Sequence, residues 1–212
     1  MVVTDYFNGT YCINLLSRMD KWEECLKEFD KHGLCVEWYK GVDGKILDYD
    51  GPIKKGHIGC VLSHKDIIEN AREAGLESVL IFEDDVAFDD DLNDKFNEWI
   101  KEVPEDWDML YFGGNHNVRE VKRCDEHLMR VTKTQTTHAY AVKCTVYDMV
   151  IDKLESLGAE VDVMYTDLQK LCNAYCFTPR LAWQRPCISD IQGVYVDYSF
   201  LKDNNGCHPT MK

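Results

Sequence analysis

The sequence predicts an α/β domain built around a largely parallel β-sheet. Apolar strand-like runs alternate with amphipathic helical segments over the first 113 residues, which is the pattern of repeated strand–helix units. The clearest strand, Ser78–Phe82 (SVLIF), is a continuous apolar run of the kind that helices cover on both faces of a sheet. A chain of 212 residues, 45% of them hydrophobic, is long enough to bury one full core.

The first half of the chain contains four predicted strands and three predicted helices. The first helix has Trp22, Cys25, Leu26 and Phe29 at helical spacing and ends at Gly33. A Gly- and Asp-rich stretch over 41–56 predicts a loop. The predicted strands are Thr10–Leu15, Leu34–Tyr39, Ser78–Phe82 and Asp108–Phe112, and the predicted helices are Arg18–His32, Ile58–Ala74 and Asp89–Val103.

The second half is less regular. We expect a hairpin over Val118–Val131, a strand over Ala139–Lys143 and a helix over Val146–Leu157. From Pro179 onward the sequence predicts loop with short strands at most. Open sheets of this class bind ligands beyond the carboxyl ends of their strands. The residues that directly follow each strand are therefore the first candidates for a functional site.

The charge balance excludes some partners. Thirty-eight acidic residues against 24 Lys and Arg give a net charge of −14, which disfavours nucleic acid and anionic membrane surfaces as ligands. No apolar run approaches the roughly 20 residues of a membrane span. Ten cysteines occur without a CxxC pair, and MVVTDYFNGTYC is unlike a signal peptide. We therefore expect free thiols and a cytoplasmic protein.

The most informative motif is VLIFEDDVAF at 79–88, in which three acids follow directly on a buried strand. Like charges packed together are unfavourable unless a cation joins them, and carboxylates suit hard ions such as Mg²⁺ or Mn²⁺. In an extended segment Glu83 and Asp85 face one side, as two metal ligands, and Asp84 faces the other, free for a hydroxyl such as a ribose. The alternative is a solvated acidic turn that caps the next helix. Asp89–Asp91 are typical of such a cap, because acids at a helix N-terminus are stabilised by the helix dipole.

Four motifs in order resemble glycosyltransferase family 25, whose members build lipo-oligosaccharide and collagen glycans. They are INLLSR, GHIGCVLSH at 56–64, VLIFEDDVAF and QRPCISDI at 184–191. The similarity is greatest to the glycosyltransferase domains of chlorella-infecting viruses, which implies a viral enzyme of the host cytoplasm. It covers residues 10–191.

The resemblance implies a GT-A fold over residues 1–212, with a nucleotide-sugar-binding half at 1–115 and an acceptor half at 116–212. The chain would be either a whole protein or one domain of a longer protein. The resemblance also implies a UDP-sugar donor, a glycan or glycoprotein acceptor and Mn²⁺ (or Mg²⁺). The family's acidic DxD motif corresponds to Glu83–Asp85, with Asp85 the direct ligand, Glu83 a ligand directly or through water, and His208 completing the metal shell.

Five further residues are candidates for donor contacts. Asn14 and Arg18 follow the first strand, and Asp43 follows the second, so each belongs to the ligand edge of the sheet. Arg18 is equally consistent with a surface charge at the start of a helix. Asp43-Gly44 is equally consistent with a turn that has no ligand. The resemblance places His64 and Lys65 beside the diphosphate or sugar, although a helix histidine is more often a core or surface residue.

Three aspartates are candidates for the group that acts on the acceptor: Asp162, Asp167 and Asp190. An inverting transferase needs a carboxylate within hydrogen-bond reach of the acceptor hydroxyl, whereas a retaining one does not require a classical base. Asp162 is favoured because it follows an apolar stretch in the acceptor half. Asp190 belongs to the SDI motif. The alternative role for this motif is structural, holding the fold together through hydrogen bonds.

Two other functions compete with a glycosyltransferase. A sugar-1-phosphate nucleotidyltransferase would need a Gly- and basic-rich loop after the first strand, but INLLSRMDK has no glycine. A non-catalytic glycan-binding module would use Trp38, Tyr39 and Trp183 as sugar platforms, although core packing is the commoner use of such aromatics.

Overall fold

A computed structural model describes residues 1–116 and 121–202 of the chain. An eight-stranded mixed sheet forms its centre. In chain order the strands of the structure are β1 (Gly9–Asn14), β2 (Glu37–Lys40), β3 (Ser78–Glu83), β4 (Val86–Phe88), β5 (Met109–Tyr111), β6 (Asn115–His116), β7 (Val121–Arg123), β8 (Leu128–Val131), β9 (Thr134–Gln135), β10 (Ala139–Lys143), β11 (Ala174–Phe177), β12 (Ala182–Gln184), β13 (Cys187–Ile188) and β14 (Tyr195–Val196).

The central sheet has the strand order β2-β1-β3-β10-β5-β11-β8-β7. Strand β1 pairs in parallel with β2 and β3, and β5 pairs in parallel with β11, whereas β10 and β8 run against their neighbours. The prediction of a mixed, mostly parallel sheet is therefore confirmed. Because β10 lies between β3 and β5, strands from both predicted halves of the chain share one sheet, and the division at 115/116 stays a prediction.

Five α-helices within the described residues cover the two faces of the sheet. They are α1 (Met19–His32), α2 (Lys55–Glu73), α3 (Leu92–Trp99), α4 (Tyr147–Glu155) and α5 (Val161–Leu168). Strand β3 alternates between two cores: Leu80 and Phe82 pack with α1 and α3, and Val79 and Ile81 pack with α2, α4 and α5. This burial on both faces explains the continuous apolar run in the sequence.

Most predicted elements occur within a few residues of their predicted bounds. Helix α1 ends where Gly33 adopts a left-handed conformation at φ 64°, as its predicted stop requires. Helix α3 begins at Leu92, three residues later than predicted, because the Asp89 amide still bonds to the carbonyl of Leu181. Helix α5 and strand β11 were not predicted.

The described cysteines are all free thiols, as expected. No helix within 1–116 and 121–202 is long and apolar enough to cross a bilayer.

Candidate active site

A cavity of about 450 Å³ opens beyond the carboxyl ends of β1 and β3, the edge at which the sequence predicts a ligand. Helix α2 and the loop before it form one wall, and the start of α5 forms another. The C-terminal segment around Asp190 covers part of the opening. The predicted site residues that line the cavity are Asn14, Asp43, His64, Glu83, Asp84, Asp85, Asp162 and Asp190.

The turn between β3 and β4 holds the three predicted acidic residues, and Glu83 is the first of them. Its Oε1 accepts hydrogen bonds from His64 Nε2 at 3.2 Å and from Thr137 Oγ1 at 2.6 Å. Burial acts to raise the pKa of Glu83, but the hydrogen bond and charge of His64 outweigh it and hold that pKa below its usual value. Glu83 is therefore a carboxylate at neutral pH.

Asp84 faces the opposite side, toward α1. Its carboxylate accepts hydrogen bonds from Asn14 Nδ2 at 2.9 Å and from Lys21 Nζ at 3.1 Å. Burial raises the pKa of Asp84, and Lys21 offsets part of this rise. The predicted separation of Asp84 from Glu83 agrees with these different partners.

Asp85 has less compensation than either neighbour. Its Oδ2 accepts a hydrogen bond from Gln184 Nε2 at 3.0 Å, but its Oδ1 is buried and has no hydrogen-bond partner in the described part of the chain. Burial, together with the charges of Glu83 and Asp84, raises the pKa of Asp85 to about 7. A buried carboxylate oxygen without a hydrogen-bond donor destabilises the fold. A divalent cation would supply the missing contact and reduce the repulsion among the three carboxylates.

The predicted hard metal therefore fits these residues. Asp85 supplies an unpaired oxygen, and Glu83 supplies a second carboxylate whose hydrogen bonds both go to Oε1. Oxygen ligands of this kind are the ones that Mn²⁺ and Mg²⁺ take. The third predicted ligand, His208, lies outside the described residues.

Asp190 is held by cations. It forms ion pairs with Arg18 and, at 3.0 Å, with Lys21 Nζ, which also contacts Asp84. Burial acts to raise the pKa of Asp190, but the hydrogen bonds from Arg18 and Lys21 prevail and lower it. A carboxylate stabilised in this way is a poor proton acceptor, so the geometry favours the structural alternative for Asp190.

Asp162 has the properties of the better acceptor-side candidate. It lies in the first turn of α5 and accepts backbone N–H bonds from Thr136 at 3.2 Å and Val163 at 2.8 Å. Burial raises its pKa, and those two bonds offset part of the rise. Thr136 adopts φ 72°, a strained conformation for a β-branched residue, and backbone strain of this kind clusters at functional sites.

The third acceptor-side candidate, Asp167, is exposed and bonds to Lys153 at 2.7 Å, away from the cavity.

The remaining donor-side candidates divide between the cavity and the surface. Asp43 caps the short helical turn that follows it by accepting from the Lys45 amide at 2.9 Å, and it also lines the cavity. His64 is fully buried between Glu83 and Tyr140. Lys65 does not line the cavity, because its ammonium pairs with Glu69 at 2.9 Å and with a second glutamate on α4.

Arg18 also lies off the cavity lining, since its guanidinium pairs with Asp20 and Asp190. It contributes indirectly: its carbonyl accepts from Asn14 Nδ2 at 2.8 Å, which orients the amide that holds Asp84. The predictions for Lys65 and Arg18 as direct donor contacts find no support in this geometry.

Sequence reasoning missed several residues that contact the acidic turn, and three of them bond to its carboxylates through N–H or O–H groups. Lys21, Thr137 and Gln184 bond to Asp84, Glu83 and Asp85 respectively. Lys21 lies one helical turn from Arg18, and Gln184 opens the QRPCISDI motif, so each had a signal in the sequence. Thr137 had none, because its position depends on how β10 inserts into the sheet.

The aromatic residues proposed as sugar platforms have other partners. Trp38 donates from Nε1 to Asn14 Oδ1 at 3.1 Å, Tyr39 accepts from Asn70, and Trp183 lies 5.0 Å from the Lys202 ammonium. None of the three lines the cavity.

A family model for glycosyltransferase family 25 (LPS biosynthesis protein) matches residues 7–159, nearly three quarters of the sequence. The chain belongs to glycosyltransferase family 25. The resemblance seen in the four motifs is thereby confirmed.

Two curated relatives of this family 25 chain are of comparable similarity. Procollagen galactosyltransferase 1 of Danio rerio is 29% identical in an alignment of length 147 that covers 59% of this chain and 24% of that protein. The procollagen lysyl hydroxylase and glycosyltransferase of Acanthamoeba polyphaga mimivirus is 28% identical in an alignment of length 200 that covers 79% of this chain and 22% of that protein. The chain thus spans about a quarter of the length of these relatives.

A solved structure shares the fold of this family 25 chain. It is a glycosyltransferase involved in the glycosylation of the major capsid of PBCV-1, with a TM-score of 0.52 and 10% sequence identity. The match covers 87% of this chain and 95% of that one. The expected GT-A type of fold is confirmed.

Proposed function

We propose that this chain is a glycosyltransferase domain that moves a sugar from a UDP-sugar to a hydroxyl of a glycan or glycoprotein, with Mn²⁺ or Mg²⁺ bound at the acidic turn. The observation that carries the proposal is the buried, unpaired Oδ1 of Asp85 at the ligand edge of the sheet. Asp85 would be the principal metal ligand, and Glu83 the second. When bound, the cation neutralises the charge that develops on the departing diphosphate.

The other residues of the cavity would position the two substrates. The charges of Asp84 and Asp190 are balanced by Lys21 and Arg18, so these four groups would keep the acidic turn in place without adding to the charge that a donor meets. The nucleoside would lie toward Asn14 and Asp43, which line the cavity beyond β1 and β2.

The acceptor would approach from the side of Asp162. Its carboxylate is anchored by two backbone N–H groups, so it is fixed in orientation, and its pKa is raised, which improves a proton acceptor near neutral pH. In an inverting reaction Asp162 would remove the proton of the acceptor hydroxyl. Because a relative is named procollagen galactosyltransferase, UDP-galactose and a collagen-like hydroxyl are the first substrates to test.

Release of UDP from a panel of UDP-sugars, measured with Mn²⁺ and with EDTA, tests the proposal. We expect release that requires Mn²⁺, favours one sugar and falls at least about a hundredfold in Asp85→Asn, as for loss of one electrostatic contact to a leaving group. Asp91→Asn is the matched control, because Asp91 is an exposed acid of the same stretch. Absence of both UDP release and Mn²⁺-dependent UDP binding by calorimetry would refute the proposal, whereas binding without release would favour the non-catalytic module.

A further inference from the structure

A second group of potential metal ligands lies in the wall of the cavity. Cys60 and His64 are one helical turn apart on α2, and Glu83 lies at the end of β3 facing them. The Cys60 sulfur, a His64 ring nitrogen and a Glu83 carboxylate oxygen all lie within 4.8 Å of one another. This set is chemically different from the acidic turn, because it offers one sulfur, one nitrogen and one oxygen.

The spacing is close to that of a tetrahedral zinc site. Zinc bonds of about 2.0–2.1 Å to nitrogen and oxygen place two such ligands about 3.3 Å apart across a tetrahedron. His64 Nε2 and Glu83 Oε1 are 3.2 Å apart. The Cys60 sulfur lies within 4.8 Å of both atoms, and Zn–S bonds of about 2.3 Å require a separation of about 3.6 Å, so the sulfur would move by at most about 1 Å.

The ligand types discriminate between cations. Thiolate and imidazole prefer zinc, whereas Mg²⁺ and Mn²⁺ prefer carboxylates and water. Zinc sites with three protein ligands leave a fourth position for water or another molecule. The cavity therefore offers an all-oxygen site at Asp85 and a mixed site at Cys60, His64 and Glu83.

Groups behind the three ligands would hold them in place. His64 Nδ1 lies 2.7 Å from the Tyr140 hydroxyl, which lies 3.0 Å from the Tyr165 hydroxyl. With Nε2 bound to a metal, Nδ1 would carry the ring proton and donate a hydrogen bond to the Tyr140 hydroxyl, the arrangement typical of zinc-binding histidines. When zinc binds, any proton on Nε2 and the proton of the Cys60 thiol pass to solvent. Thr137 already holds Glu83 Oε1.

We propose that Cys60, His64 and Glu83 form a zinc site whose occupation antagonises the Mn²⁺-dependent binding of the donor. The antagonism follows because Glu83 belongs to both sets of ligands: with zinc on Oε1, its other oxygen is a weaker ligand, and two divalent cations that share one carboxylate repel each other. This second statement rests on the proposed function, whereas the zinc site itself does not.

Cobalt(II) reports on the site directly, since thiolate ligation gives it an intense near-ultraviolet band. The test uses the full chain with Cys35, Cys124, Cys144 and Cys207 changed to Ser, which removes the exposed thiols and the one outside the described residues. We expect one equivalent of Co²⁺ to give the band, and Zn²⁺ to abolish it. Cys60→Ser should lose the band, and Tyr140→Phe should weaken the affinity about tenfold.

Cys187→Ser is the matched control. Cys187 is also partly buried, but its sulfur lies beside Asp85, 4.0 Å from Oδ2, and it does not line the cavity. This variant should keep the band. A band that survives Cys60→Ser, one that disappears with Cys187→Ser, or no band at all in the parent protein would overturn the zinc site. Circular dichroism of each variant without metal verifies that it is folded.

Calorimetry of UDP with Mn²⁺ tests the antagonism separately. One equivalent of Zn²⁺ should weaken UDP binding about tenfold or more in the parent protein and leave it unchanged in Cys60→Ser. Equal UDP affinity with and without Zn²⁺ would overturn the antagonism. If UDP does not bind with Mn²⁺ at all while the cobalt band forms, the proposed function fails and the zinc site stands.

Discussion

The three carboxylates of the acidic turn differ in what compensates their charge. Glu83 has a histidine and a hydroxyl, Asp84 has an amide and an ammonium, and Asp85 has one amide for one of its two oxygens. Proximity to a buried strand alone would have affected all three equally. The difference arises from partners that five separate parts of the chain supply, and it makes Asp85 the residue at which a cation gains most.

Asp85→Asn should change how the stability of the metal-free protein depends on pH. The pKa of Asp85 is raised to about 7 from a usual value near 3.8, so its ionised form destabilises the folded state. This penalty is absent below the unfolded pKa, grows as pH rises and is complete above about 7. Urea unfolding in EDTA should show that Asp85→Asn changes the unfolding free energy, relative to the parent, more favourably at pH 8 than at pH 5. The difference should be on the order of 2 kcal/mol.

The matched control is Asp91→Asn, a substitution at an exposed acid of the same stretch, measured at the same two pH values. If the difference in unfolding free energy between Asp85→Asn and the parent is the same at pH 5 and pH 8, Asp85 is not held as a strained carboxylate. Its place as the principal metal ligand would then lose its physical basis.

Asp162→Asn separates a role in catalysis from a role in binding. If Asp162 accepts the proton of the acceptor hydroxyl, the amide should lower the transfer rate by a factor of about 10² to 10⁴ while the affinity for UDP with Mn²⁺ is retained. Rates of transfer to an acceptor and calorimetry with UDP measure the two effects. Asp167→Asn, an exposed position on the same helix, is the control. A rate unchanged by Asp162→Asn would point to a reaction that needs no base there.

Among the elements, the contact between α2 and the loop before it shapes one wall of the cavity. A Cβ at Gly59 would come within 2.4 Å of the Val42 carbonyl oxygen, and one at Gly44 within 2.0 Å of the Lys55 carbonyl oxygen. The loop and helix therefore approach each other through backbone at both points. This approach places Asp43 beside the cavity, and it requires glycine in the middle of a helix.

Gly59→Ala should consequently destabilise the protein, although alanine is the better helix former by about 1 kcal/mol. The added methyl group must push the Val42 carbonyl away, so we expect a loss of roughly 1–3 kcal/mol in the unfolding free energy and weaker UDP binding. Gly158→Ala is the control, because its Cβ would meet only an ordinary contact at 3.5 Å, and it should change stability by less than about 0.5 kcal/mol. Urea unfolding of both variants measures the two changes in unfolding free energy. A Gly59→Ala protein more stable than the parent would contradict the close approach of the Val42 carbonyl to Gly59.

The elements also show what the sequence was sufficient to predict. Runs with a strong period or a clear stop, such as α1 with Gly33 and the buried strand β3, were found nearly to the residue. Helix α5 was not, because half of its eight residues are β-branched or aromatic and its N-terminus has no side-chain cap. Strand β11 was not predicted either. Helix α3 began late because a tertiary hydrogen bond to Leu181 prolongs the extended chain, and no local signal encodes that bond.

The site was predictable to the same extent. That residues directly following β1, β2 and β3 line one cavity could be expected, because parallel strands bring their carboxyl ends to one edge. The partners that tune their charge were not identified, since Thr137 and Gln184 lie 54 and 99 positions away in sequence from the acids they bind. Lys65 does not line the cavity that His64 faces, because one position along a helix turns a side chain by about 100°.

For the whole molecule, the electrostatic balance predicts a joint effect of cation and nucleotide. With a net charge of −14 and seven acidic residues lining the cavity, UDP alone meets a repulsive surface, so binding should depend on the cation. A ligand at 100 times its dissociation constant stabilises a protein by about 2.7 kcal/mol, which for a chain of this size corresponds to a rise of roughly 5–10 °C in Tm.

Thermal unfolding with UDP alone, Mn²⁺ alone and both together measures this dependence. We expect the pair to raise Tm by more than the sum of the two separate shifts, because each ligand supplies charge that the other needs. The excess should vanish in Asp85→Asn and remain in Asp91→Asn. Strictly additive shifts in the parent protein would mean that cation and nucleotide bind at unconnected places, and the acidic turn would then not be where the donor diphosphate is held.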